Sequence, residues 1–405
     1  MTGAHDATPV SIEVAFEPHL LRGTGPARPP EGSGRAVLLE VAARSGATPA
    51  QVGRLELLHR GDDHFGRFQA ECAAARHEVA VEMYQIRRDP VGRALCDALV
   101  DAARRGVRVR LLLDAFGSRQ IAGWVCGMRR EGVEVRWYGP PTAAASPFDR
   151  THRKLLLFDG ARASVGGVNF AAEFSEAAAG RQAWRDVGLW LSGPVAAVLR
   201  GQLEAAWRRW GGPPGAPLSV EPGGAAMVAV VGGRDGRSGH ALAYRELVRS
   251  ARRELLLATP YFLPDRAFRD ELVQAAGRGV RVVVVIPRRC DIGLFKHAAR
   301  RLYGDLLEAG VEVRERLDRM VHAKVAVVDR HLAAVGSVNL NRRSFHGNSE
   351  TLLLGDDPRL TAEISALILD ESSQHSEVLS PHRWRGHPER DRLAELLVRP
   401  LAMVF

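Results

Sequence analysis

From about residue 60 onward the chain repeats itself, and this repeat restricts its fold more tightly than any other feature. The tetrapeptide Gly106-Val-Arg-Val returns as Gly279-Val-Arg-Val, and Gly132-Val-Glu-Val returns as Gly310-Val-Glu-Val, in the same order. In the first copy the apolar pattern predicts a helical stretch at 70–75, a strand over 79–85, an amphipathic helix over 92–105 and a strand over 106–114. A further helix, a strand from 132, and strands over 152–158 and 164–170 complete it. The second copy keeps that order: helix 242–253, strand from 255, helix 266–276, strand from 279, helix 295–308, strand from 310, and strands over 323–328 and 332–340. A Gly/Pro-rich join, 211–224, separates the copies. The fold class is therefore α/β, with two tandem units that face each other, each a sheet covered by helices. The boundaries read as a flexible arm over 1–55, units over 56–215 and 225–380, and a basic, amphipathic tail over 381–405.

Inside the repeats lies a second match, H-x-K-x4-D-x6-G-[GS]-x-N. The first copy has His152, Lys154, Asp159, Gly166, Gly167 and Asn169; the second has His322, Lys324, Asp329, Gly336, Ser337 and Asn339. His and Lys two apart on a strand share a face, and the Asp after four apolar residues begins a turn. The chain holds 56 Lys plus Arg but only three lysines, Lys154, Lys296 and Lys324. Two of the three occupy the matched position, so a compact ammonium is selected there where Arg serves elsewhere. Lysines and asparagine amides suit the non-bridging oxygens of a phosphodiester. One imidazole can attack phosphorus, and the other can protonate the leaving alkoxide. Either motif alone could be a core histidine beside a surface lysine; two copies at equivalent places argue for shared chemistry. No metal or other cofactor is required by these roles. Asp186 and Glu350, each opening an apolar strand-like run, are candidates to orient the histidines, or else acids facing solvent at strand ends.

The formal charge is +9, which favours anionic partners, lipid headgroups or nucleic acid. The cysteines, Cys72, Cys96, Cys126 and Cys290, have no metal-ligand spacing and read as buried thiols in a reducing compartment. No apolar run approaches the roughly 18–20 residues that span a bilayer, so membrane contact is expected to be peripheral. The tail, with Arg383, Trp384 and Arg385 before an apolar end at Phe405, suits a bilayer interface or the protein's own core. Arg208 and Arg209 between Trp207 and Trp210 read as a solvated helix face.

The double motif resembles the phospholipase D superfamily, and the flanks resemble bacterial cardiolipin synthases. Those flanks include Glu82-Met-Tyr-Gln, Asp114 with Phe116-Gly-Ser118, Trp184-Arg-Asp186, Thr259-Pro-Tyr-Phe-Leu-Pro264, and Asn339 through Arg343-Ser-Phe345 to Glu350. The likeness runs over about residues 60–405. It implies a pseudo-twofold pair of α/β/α sandwiches with one shared active site. It implies that His152 is the nucleophile, His322 the general acid and base, Asp186 and Glu350 their orienting groups, and Asp159 and Asp329 structural. The implied reaction joins two phosphatidylglycerols into cardiolipin with release of glycerol. The alternative is a phosphodiesterase that uses water, acting on phospholipid or, without metal, on nucleic acid. The apolar tail and the flanks favour lipid, so nucleic acid is not the expected partner. The expected location is cytoplasmic, on the inner face of the cell membrane. Two departures stand out: no N-terminal membrane helix is seen, and Gly167 stands where the second motif has Ser337.

Overall fold

A computed structural model describes residues 33–140, 150–215, 221–232, 239–373 and 375–385. The repeated tetrapeptides are helix ends. Gly106, Gly132, Gly279 and Gly310 have φ between +84° and +91°, a conformation open to glycine at little cost. At each, the glycine N–H and the following valine N–H close back onto the last helical turn: Gly106 to Ala103 and Val107 to Ala102, Gly279 to Ala276 and Val280 to Ala275. This paired closure ends the helix and launches a parallel strand. The Arg and Glu of the two tetrapeptides then meet on neighbouring strands: Arg108 Nε donates to Glu134 at 2.8 Å, and Arg281 Nε to Glu312 at 2.9 Å. The helices that end at Gly106 and Gly279 also start alike, with Asp89 and Asp265 accepting from the N–H of Gly92 and Phe268, each at 2.8 Å.

The first sheet runs, in spatial order, Leu55–Leu58, Gly188–Ser192, Arg162–Gly166, Lys154–Phe158, Glu78–Met83, Arg108–Asp114 and Glu134–Tyr138. The second has the same order in Met227–Gly232, Thr351–Gly355, Leu332–Gly336, Val325–Val328, Glu254–Ala258, Arg281–Pro287 and Glu312–Arg316. In both, the last three strands are parallel and the rest antiparallel. Each sheet has an outer apolar layer of its own, and a third core lies between the sheets. Into that middle core both halves send a helix, Pro194–Arg209 and Pro358–Ser373, beside Leu155, Leu157, Val325 and Val327. A large buried aliphatic side chain contributes roughly 1.5–3 kcal/mol by leaving water, so this shared layer binds the halves strongly.

Two expectations change. The arm was taken to reach residue 55, but Gly34–Ser45 is a helix and Thr48–Gln51 a strand pairing with Met227–Val230 at the edge of the second sheet. Leu38, Val41 and Ala42 bury one face of that helix, Ser33 caps its start, and Gly46 ends it. The segment before the first repeat thus completes the second. Among the cysteines, Cys72 and Cys96 are buried, but Cys126 is exposed and Cys290 half-buried. Trp207 is fully buried, its Nε1 donating to Pro213 O at 3.0 Å, while Arg208 and Arg209 are exposed. The tail beyond Arg385 lies outside the described residues. No helix among the described residues is long and apolar enough to cross a membrane.

Candidate active site

The halves meet through the segments that lead into the central motif strands. Arg150–Thr151 pairs in parallel with Asn348–Ser349, and Arg185 bridges Val321. The backbone N–H of His152 donates to Ser349 O at 2.8 Å, and that of His322 to Arg185 O at 2.6 Å. Each docking strand carries a carboxylate as its next residue, so each histidine receives its acid from the opposite half. Glu350 Oε2 lies 3.0 Å from His152 Nδ1, and Asp186 Oδ2 lies 2.5 Å from His322 Nδ1. Nδ1 of each ring thus faces a carboxylate, and His322 Nε2 lies 3.3 Å from Lys324 Nζ.

The lysines lie one strand register away. Lys154 Nζ donates to His152 O at 2.7 Å and sits 5.1 Å over the Tyr84 ring. Lys324 Nζ contacts His322 Nδ1 at 2.6 Å and Asp186 Oδ2 at 3.4 Å. Burial, and then the ammonium of Lys324, bring Lys154 down to about 7. Burial brings Lys324 down to about 8, with Asp186 opposing. Two ammoniums buried side by side, one of them lowered by the other, make a site suited to an anion. The motif amides Asn169 and Asn339 are buried as well, and each leaves Oδ1, an acceptor, without a hydrogen-bond partner.

Burial is also the largest influence on the histidines. It lowers His152, with Glu350 opposing, and it lowers His322 to about 4 together with Lys324, against Asp186. Burial pushes Glu350 upward, but His152, Lys154 and Ser337 outweigh it and hold the carboxyl at about 2. Burial likewise opposes the ionised form of Asp186, yet Lys324 and His322 keep it below its usual range. Both acids are therefore anions that favour an imidazolium beside them.

Gly167 and Ser337 explain each other through those acids. A Cβ at Gly167 would lie 2.2 Å from Asp186 Oδ1, so the carboxylate occupies the space a serine would need. In the other half Ser337 Oγ donates to Glu350 Oε2 at 2.5 Å, and Ser344 Oγ reaches Oε1 at 2.7 Å.

Asp159 and Asp329 are not at this place. They sit at the far end of the motif strand, about 16 Å away at the usual rise per residue. Asp159 Oδ1 accepts from the N–H of His77 and Glu78 at 2.8 and 3.0 Å; Asp329 Oδ1 accepts from Arg253 and Glu254 at 2.7 and 2.8 Å. Both have φ near +50° and fasten the turn that precedes the neighbouring strand. They are placed to build the fold and cannot touch the reacting atoms.

Residues without an assigned role in the sequence also converge here. Asp114, buried and raised by that burial to about 6, accepts from Phe116, Gly117 and Thr151 N–H. Glu82 is fully buried; it accepts from Thr151 Oγ1 at 2.5 Å and faces Arg153 at 3.5 Å. Tyr84 packs edge-on to His152 at 4.8 Å. Their signal was present in blocks shared with the resembled family, but nothing in those blocks said which side chains face the histidine. Among the described residues no group of three or more His, Cys, Asp or Glu is placed to hold a metal.

The sequence matches the family described as cardiolipin synthase, PLD-like domain, over residues 69–177 and 244–370, the two halves in turn. It is 32% identical to a cardiolipin synthase of Geobacillus kaustophilus, over 90% of this chain and 75% of that one. It is 32% identical to cardiolipin synthase B of Escherichia coli, over 82% of this chain and 84% of that one. The fold is similar to the crystal structure of phosphatidylserine synthase from Haemophilus influenzae, with a TM-score of 0.67 at 15% identity, covering 91% of this chain and 97% of the other.

Proposed function

The chain belongs to the cardiolipin synthase family of phospholipase D-like proteins, and we propose that it is a phosphatidyltransferase that joins two phosphatidylglycerols into cardiolipin and glycerol. The observation that carries this reading is the crossed grip, each half's histidine held by the other half's carboxylate beside the buried motif lysine of its own half. The substrate is an anionic phospholipid. Its phosphodiester lies between Lys154 and Lys324, with the amides of Asn169 and Asn339 alongside. His152 Nε2 attacks phosphorus, and the bond from phosphorus to the glycerol headgroup oxygen breaks. His322 gives that oxygen its proton, and glycerol leaves. The hydroxyl of a second phosphatidylglycerol then passes its proton to His322 and attacks, and the phosphorus–nitrogen bond breaks.

The proton balance follows from the charges. His322 holds a proton weakly in the empty site because burial and Lys324 disfavour its charged form. A phosphate anion beside Lys324 offsets the second of these, and Asp186 then stabilises the imidazolium. On the other side, Glu350 keeps the His152 proton on Nδ1 and the lone pair on Nε2. The protein works from the membrane surface on its cytoplasmic side, without spanning it.

The test is the product formed on phosphatidylglycerol vesicles. Cardiolipin with stoichiometric glycerol is expected. Phosphatidic acid alone would replace transfer by hydrolysis, and cleavage of single-stranded DNA in the absence of lipid turnover would replace both.

A further inference from the structure

The large apolar side chains exposed among the described residues are Leu39, Phe116, Leu242, Ile292, Leu317 and Val378. Phe116 and Ile292 lie in corresponding loops of the two halves, two and five residues past the ends of matching strands. Phe116, 53% exposed, follows the strand Arg108–Asp114; Ile292, 39% exposed, follows its counterpart Arg281–Pro287. Short chains of contact lead from both to the histidines. Phe116 N–H donates to Asp114 Oδ1, and Asp114 Oδ2 accepts from Thr151, the residue before His152. Asp291, beside Ile292, accepts from Tyr261 Oη at 2.6 Å, and the Tyr261 ring lies 6.2 Å from that of His322. The two loops therefore border one mouth. Leu317 joins the rim, since its strand Glu312–Arg316 ends where Arg288 N–H reaches Arg316 O.

The charges around these side chains are basic. The guanidiniums of Arg119 and Arg150 lie 4.8 and 5.6 Å from the centre of the Phe116 ring. Arg289, three residues before Ile292, is exposed. Asp291, the acid in this loop, is engaged by Tyr261. An exposed phenyl ring flanked by guanidiniums suits a bilayer interface, where the ring enters the acyl boundary and the cations meet phosphates.

We propose that this rim is the surface that docks on an anionic phospholipid bilayer. Phe116 and Ile292 enter the interface from opposite halves, and Arg119, Arg150 and Arg289 bind headgroup phosphates around them. The mouth is thereby pressed onto the membrane that holds its substrate. This rests on the lipid reading above but can fail separately from it.

The experiment is co-sedimentation of the full chain with mixed phosphatidylcholine and phosphatidylglycerol vesicles. The wild type should bind, and binding should weaken as salt is raised. The double variant Phe116→Ser with Ile292→Ser should lose about tenfold or more in vesicle affinity. A control double variant, Leu39→Ser with Val378→Ser, removes apolar side chains from the helix Gly34–Ser45 and from the end of the edge strand Ser376–Val378, and should bind as the wild type does. Equal binding by the Phe116/Ile292 variant, or an equal loss in the control, overturns the docking surface. Absence of any phosphatidyl product from dispersed short-chain phosphatidylglycerol overturns the lipid reading instead.

Discussion

The two halves share a strand order and a motif, yet they surround their histidines differently. Beneath His152 the first half is polar. Thr151 and Arg153 flank it, Glu82 binds Thr151 and faces Arg153, and Arg153 Nε reaches across to Glu350 O at 3.1 Å. The same positions in the second half are Val321, Ala323 and Ala258, all apolar and buried. Around His322 lie the rings of Phe174, Trp184 and Tyr261, whereas His152 has Tyr84. The carboxylates differ too. Glu350 takes donors from Ser337 and Ser344 besides His152, while Asp186 is shared by His322 and Lys324. A duplicated unit thus holds its two rings in unlike surroundings. His152 sits over the polar network of Thr151, Glu82 and Arg153, and His322 sits among aromatics beside Lys324; under the proposed function the first suits the nucleophile and the second the proton carrier.

The largest effect should separate the histidines by leaving group. His152→Ala should lower turnover by about 10⁴-fold or more on every substrate. His322→Ala should be as slow on phosphatidylglycerol but should recover the first step with a p-nitrophenyl phosphodiester, whose leaving group needs no proton. A burst of p-nitrophenol from the His322 variant and none from the His152 variant would sharpen the assignment; the reverse pattern would exchange the roles.

Next comes the glycine–serine difference. Gly167→Ser should displace Asp186 and slow turnover by about 10²-fold or more, since a misoriented imidazole is costly. Ser337→Gly removes one hydrogen bond from a carboxylate that keeps others and should cost about tenfold or less. Equal losses at both positions, measured as kcat/KM, would break the comparison.

A smaller effect lies in pH. Lys154 and Lys324 lie near 7 and 8 in the free enzyme, and only their charged forms attract the phosphodiester. The kcat/KM for phosphatidylglycerol should therefore fall as pH rises through that range, while kcat, which reports the anion-bound site, falls at higher pH. Coincident profiles for both would contradict the lowering of the lysines in the free enzyme. Smallest of all, Thr151→Val copies the second half into the first. It leaves Glu82 Oε1 without its donor and should cost about 1–3 kcal/mol of stability, read by denaturant titration.

The repeated architecture was legible because its punctuation is local. Gly106 and Gly279 end helices through bonds to carbonyls a few residues back, and Arg108 with Glu134 restates the register in side chains. Asp159 is legible only in part: Asp159-Gly160 marks the turn, but the N–H groups it binds, those of His77 and Glu78, lie 82 and 81 residues upstream at the entry of the neighbouring strand. The crossed carboxylates were not legible. Asp186 lies 136 residues from His322 and Glu350 198 from His152, and only the docking of the two halves decides which ring each acid meets. Residues 34–51 were misjudged because their helix buries a modest stripe against a surface built 200 residues later. The predicted strands through 170 and 340 end at Gly166 and Gly336, where the backbone passes so near Val187 O and Thr351 O that a Cβ would stand 2.2 Å away.

The most direct measurement is to quench the enzyme during turnover of phosphatidylglycerol labelled in its phosphate and to sequence the labelled peptide. Label on His152, acid-labile and chased by unlabelled phosphatidylglycerol, is the expected result. Label on His322, or none on either histidine while cardiolipin accumulates, would contradict it.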